Sequence, residues 1–223
     1  MNSVMEIVCG VCNRVRSNSK HGTSFPNLLV RLRREFREQG MDLKIKSLRD
    51  KKLNLEEFYV NAYYDAEDDQ NREVPIEVIA HHNFPKETIW SEKQVTDFLI
   101  QIFDAVVHEF KHQRQSRKRH FINYWDHRNG AYHYQEYLSD PDEVDAYALS
   151  IAIELCRTLG KFRALRYMHW LNSLSKLKFN DQYVSPNLSA YIGQFGLRSP
   201  IIKRLSKKIY IRLQKVDTDV IFV

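Results

Sequence analysis

The sequence predicts an α+β fold in one domain: a small, mainly antiparallel sheet packed on one long helix, followed by a helical C-terminal lobe. Three observations predict it. Residues 58–64 and 74–80 alternate apolar and polar side chains, as half-buried strands do. Residues 92–116 carry apolar side chains at helical intervals over a length that strands rarely reach. Beyond residue 139 the periodicity is mostly helical. The 223 residues suffice for a core, and no internal repeat or linker-like change of composition interrupts them. The expected divisions of the single domain 1–223 are a segment 1–24 with no assigned role, the sheet and long helix in 25–138, and the helical lobe in 139–223.

Residues 26–39 read as the first helix. Pro26 suits a first turn, Leu28, Leu29, Leu32 and Phe36 share a face, and Gly40 ends it. Leu43 and Ile45 then alternate with lysines as a short strand. Phe58, Val60, Ala62 and Tyr64 form a strand, an acidic turn follows over 65–71, and Val74, Ile76, Val78 and Ala80 complete a hairpin. Ser91 and Gln94 have capping-box spacing, so the long helix starts at Glu92. Val95, Phe98, Leu99, Ile102, Val106 and Phe110 make its apolar stripe. A looser stretch, 120–138, is rich in aromatics and histidine and contains the turn signal Asn129-Gly130.

The next helix begins near Pro141, capped by Ser139 or Asp140. It carries Val144, Tyr147, Ala148, Ile151 and Leu155, and Gly160 closes it. Residues 161–178 read as helix, with Phe162, Leu165, Leu174 and Leu177 on one side. A last helix starts at Ser199-Pro200, and its apolar face of Ile202, Leu205, Ile209 and Leu213 is expected to pack on the domain.

Composition narrows the function classes. No run of eighteen apolar residues exists, which argues against a membrane span, and the N-terminus lacks the apolar stretch of a secretory signal. The expected location is the cytoplasm. Three cysteines fit it: Cys9 and Cys12 form a lone CxxC that even with His21 lacks a fourth ligand, so they read as reduced structural thiols. Thirty-four basic against 28 acidic residues leave a net charge of +6, gathered at Arg114, Arg117, Lys118 and Arg119 and again at Lys203, Arg204, Lys207, Lys208, Arg212 and Lys215. Such clusters suit an acidic partner, nucleic acid included, or are simply solvated.

The long helix contains His108-Glu109-Phe110-Lys111-His112. Residues four apart sit one turn apart on one face, so both imidazoles can reach a single ion. Glu109 falls roughly 100° round the helix, where it can hold a metal-bound water and take its proton as general base. The same helical turns set Gln101, Asp104, His108, His112 and Gln115 in one polar stripe. That stripe is either the solvated face of an amphipathic helix or the floor of a cleft. A third ligand must come from another element. Glu143, in the first turn of the next helix, is placed for this, although acids favour a first turn for the helix dipole alone.

HEFKH followed some thirty residues later by Asp140-Pro-Asp-Glu-Val-Asp-Ala-Tyr-Ala148 resembles the zincin metallopeptidases, specifically their gluzincin-like pattern, in which a glutamate in a Glu-x-x-Ala setting completes the site. Glu143-Val-Asp-Ala146 matches that setting, and His112-Gln-Arg-Gln resembles small predicted metallopeptidases of tailed bacteriophages. The likeness covers about residues 74–156. It implies zinc on His108, His112 and Glu143, Glu109 as catalytic base, a peptide or protein substrate lying along a sheet edge, and a host-cytoplasmic location if phage-encoded. Tyr147 stands where larger members carry a second-shell aspartate, which leaves Asp104 as the candidate to orient the histidines. Tyr132, His133, Tyr134 and Tyr137 are the nearby candidates for stabilising a transition state, with none singled out. His81 and His82 end a strand and either line the cleft or lie on the surface. The competing expectation is a basic nucleic-acid-binding or structural protein of phage type with a vestigial or structural zinc site.

Overall fold

A computed structural model describes residues 2–71, 73–85, 87–121, 134–173 and 184–223. The Asn129-Gly130 turn, His127, Tyr132, His133, Leu174 and Leu177 lie outside the described residues. Two compact units divide the chain: residues 1–121 with 222–223, and residues 122–221. The described elements mix helices with two small sheets, an α+β composition.

The first unit opens with a helix for which the sequence carries no clear local signal, α1 (Asn2–Ser17). Its Met5, Val8, Cys9, Val11, Cys12 and Val15 are all buried, a helical repeat that packs α1 on the later helices of this unit. Valine and Gly10 are weak helix formers, so packing rather than propensity holds this element. The strand β1 (Thr23–Ser24) leads into α2 (Phe25–Glu38), whose buried face is the expected Leu28, Leu29, Leu32 and Phe36. Gly40, past the end of α2, has φ of 69°, a conformation that favours glycine.

The main sheet comprises β2 (Leu43–Arg49), β3 (Phe58–Tyr63) and β4 (Ile76–His82), in the order β2-β4-β3. The expected hairpin is present: β3 and β4 pair antiparallel, with Val60 opposite Ala80. The expectation of a mainly antiparallel sheet needs correcting, because β2 joins the far side of β4 in parallel, with Ile45 opposite Val78. The hairpin leaves one side of β4 unpaired, and β2 fills it running in the direction of β4. The acidic segment between β3 and β4 forms a short helix, α3 (Ala66–Asn71). β5 (Ile89–Trp90) pairs antiparallel with β1.

The helix α4 (Glu92–Lys118) runs against β3 and β4. Its start is the expected capping box: Ser91 accepts from the Gln94 N–H, while the Gln94 side chain takes the Ser91 N–H. Between helix and sheet lies an aromatic core centred on Trp90, whose ring stacks on Phe25 at 4.7 Å and on Phe58 at 5.0 Å and meets Phe98 edge-on at 5.4 Å.

The second unit contains α5 (Tyr134–Ser139), α6 (Pro141–Leu159), α7 (Lys161–Ser173), α8 (Pro186–Phe195) and α9 (Pro200–Lys215). α6 is central and touches each of the other four. Val144, Ala148, Leu149, Ile151, Ala152, Ile153 and Leu155 bury it on most sides. Of the two expected caps, Asp140 serves: its side chain accepts from the Asp142 N–H at 2.7 Å. The apolar face expected of the last helix, Ile202, Leu205, Ile209 and Leu213, is buried. Asp145 of α6 pins the other flank of α9 by accepting from Arg212 at 2.8 Å and Lys208 at 3.2 Å.

Candidate metal centre

The site begins with the register of α4. Its apolar stripe faces the sheet, so the helical repeat places Gln101, Asp104, His108, His112 and Gln115 together on another face. All five are half-buried rather than fully exposed, which is not the pattern of a plain solvated stripe. Gln101 shows part of the reason. Its Oε1 accepts from the Val60 N–H at 3.0 Å, tying the edge strand β3 to the helix two turns before His108. The sequence carries no signal for that bond, since it depends on where the strand lands.

Within this stripe His108 and His112 point at each other. Their Nε2 atoms are 3.0 Å apart, and the ring centroids are separated by 4.8 Å at an interplanar angle of 64°. Two neutral imidazoles can share one hydrogen bond in this way, and two metal-bound ones converge at a similar separation. Glu109 sits half-buried on the same helix, about 100° round from His108.

Glu143 occupies the first turn of α6 and is half-buried. A glutamate at this third position often closes a capping box on the N-cap N–H. Here the Asp140 N–H already donates to the Tyr137 carbonyl at 3.1 Å, so the cap does not require Glu143. The candidate ligands are His108 and His112 in the first unit and Glu143 in the second. Two imidazole nitrogens and one carboxylate oxygen are the donor set of catalytic zinc sites.

The remaining candidates separate clearly. Cys9 and Cys12 are buried on α1, where burial pushes the Cys9 thiol above its ordinary value, and no third ligand gathers around them among the described residues. His82 is a packing residue: its ring lies 4.5 Å from Phe25, Nδ1 accepts from the Phe84 N–H, and burial lowers its pKa. His81 stacks face to face on Tyr59 at 4.3 Å. Tyr147 packs edge-on against Tyr191 at 5.2 Å, and Tyr134 is largely exposed. Asp104 stands half-buried one turn before His108.

The far end of α4 is anchored. Arg117 of the first basic cluster forks onto the buried Asp69 carboxylate of α3, donating at 2.8 and 3.0 Å, and Tyr64 donates to the same carboxylate at 2.6 Å. This guanidinium holds the Asp69 carboxyl at about 2, while burial and the neighbouring carboxylate raise Tyr64 to about 12. Arg117 therefore serves the fold, and the first basic cluster is smaller than its sequence suggests.

No protein-family description matches the chain, and no curated protein or solved structure is significantly similar to it. Among the described residues no helix is long and apolar enough to cross a membrane.

Proposed function

We propose that the chain is a zinc-dependent hydrolase, and specifically a metallopeptidase, with zinc held by His108, His112 and Glu143. The observation carrying this reading is the pair of imidazoles one turn apart on α4, their Nε2 atoms 3.0 Å apart, with Glu143 as the third ligand that the sequence pattern supplies. Its support is chemical: the donor set is that of a hydrolytic zinc site with one position left for water. Zinc held there would supply Lewis acidity to a substrate carbonyl and to the attacking water. Glu109 takes the proton of the attacking water and delivers it to the leaving amine.

The test is a turnover assay on a broad panel of peptides with zinc-loaded protein, comparing the natural chain with Glu109→Gln. The amide keeps the size of the side chain but cannot accept a proton, so hydrolysis falls by about 10²–10⁴-fold while zinc is retained. Full activity in Glu109→Gln removes the mechanism. Hydrolysis of simple amides but no peptide would reassign the substrate, and zinc without any turnover would make the site structural.

A further inference from the structure

Helices α7 and α9 concentrate the positive charge of the protein. Together they hold nine lysines and arginines and no acidic residue, so they outweigh the net charge of +6 and leave the rest of the chain slightly acidic. Three of the nine have partners: Lys208 and Arg212 pair with Asp145, and Lys161 caps the carbonyls of Gln214 and Val216. Arg163, Arg166, Lys203, Arg204, Lys207 and Lys215 are exposed and carry no ion pair among the described residues.

Two of these cations, Lys203 and Lys207, border a groove. The Lys161 bonds join the start of α7 to the end of α9, so the two helices pack antiparallel. Between them lies a concavity of about 600 Å³ lined by His169, Lys203, Ser206, Lys207, Tyr210 and Ile211. The helical repeat extends both walls. On α7, Phe162, Arg166 and His169 fall on one exposed stripe, and on α9, Lys203, Lys207 and Tyr210 do the same. Phe162 is 84% exposed and Tyr210 42% exposed, so each wall offers an accessible ring beside cations.

We infer that this groove binds single-stranded nucleic acid. Exposed cations without carboxylate partners match a phosphate backbone, and aromatic rings set among them offer stacking surfaces to unpaired bases. The volume is that of a small-ligand site, fitting a base with its sugar. A duplex hides its base faces from such rings. A membrane surface would call for a continuous apolar face, whereas that of α9 is turned into the core and the exposed Phe162, Trp170, Tyr210 and Ile211 are set among cations. This inference stands apart from the metal centre and survives its failure.

The test is fluorescence anisotropy of a labelled oligothymidylate about 16 nucleotides long, titrated with the full chain over a range of salt concentrations. Binding is expected to weaken with salt, and Lys203→Ala/Lys207→Ala lowers the slope of log affinity against log salt by about 1.4, the loss of two single-strand phosphate contacts. Tyr210→Ala weakens binding about tenfold by losing one stacking contact. Lys51→Ala, an exposed cation of the first unit, leaves it unchanged. All four side chains are exposed, and circular dichroism of each variant verifies the fold. Absence of binding at low salt overturns the inference, as does equal affinity for the matching duplex or binding unaffected by the groove variants. Binding to phosphatidylserine vesicles but not to the oligonucleotide would assign the surface to membranes and overturn it equally.

Discussion

Replacing Asp69 by asparagine tests how the helix that bears the histidines is held. The Asp69 side chain is 1% exposed and accepts from two Arg117 nitrogens, the Tyr64 hydroxyl and the Val74 N–H. Its carboxyl is lowered from 3.8 to about 2. A lowered carboxylate stabilises the fold above its unfolded pKa, and that contribution fades as pH falls towards the folded value. The shift corresponds to about 2 kcal/mol at neutral pH, an upper figure because the Arg117 side chain is 42% exposed and partly screened. Asparagine keeps the shape but not the charge. Urea denaturation at pH 7 should therefore show Asp69→Asn less stable by up to about 2 kcal/mol. Between pH 5 and pH 2 the difference from the natural chain should shrink towards zero. Glu77, held at about 2 by Lys46 and Lys44, titrates in the same window in both proteins and cancels in the comparison. A difference that stays constant with pH, or no difference at pH 7, would refute the electrostatic role given to this pair.

The capping box of α4 is a second point of leverage: Ser91→Ala should cost about 1 kcal/mol, read from the urea midpoint, and no loss would mean that packing on the sheet alone fixes the helix start. Trp90→Ala should cost about 3–5 kcal/mol because this buried ring touches Phe25, Phe58, Phe84 and Phe98. A loss below about 1 kcal/mol would show that the aromatic cluster collapses around the gap. Glu109→Gln should bind zinc with unchanged stoichiometry by atomic absorption, since Glu109 is no ligand in the proposed site; loss of zinc there would mean that the ligand set is wrong.

The parts of the fold written in local chemistry were legible. Ser91 and Gln94 announce a capping box, Asp140-Pro141 starts α6 and Gly160 ends it, and the alternation in 58–64 and 74–80 specifies an antiparallel pair. What depended on tertiary partners was not. α1 is built of valines, cysteines and a glycine that become a helix by packing on its neighbours, and β2 shows only a strand pattern, which does not state parallel or antiparallel pairing. The acidic stretch that became α3 reads as a turn until Asp69 is seen anchoring Arg117.

The candidate site divides along the same line. The four-residue spacing of His108 and His112 states outright that they share a face. Glu143 is invisible as a ligand on spacing alone, because a glutamate in a first turn has an ordinary role at the helix dipole. The backbone bond from Asp140 to Tyr137 satisfies the cap without Glu143, which sets aside a capping-box role and leaves the dipole as its ordinary one. The tie from Gln101 to Val60 and the groove between α7 and α9 depend on how elements pack, which no local pattern records.

Metal analysis of the purified chain, set beside His112→Ala, addresses the zinc site itself. One zinc per chain is expected, removed by a chelator, restored by added zinc and absent from the variant. Protein that is metal-free as purified and takes up no zinc on titration, or a His112→Ala variant that holds zinc as firmly as the natural chain, would contradict it.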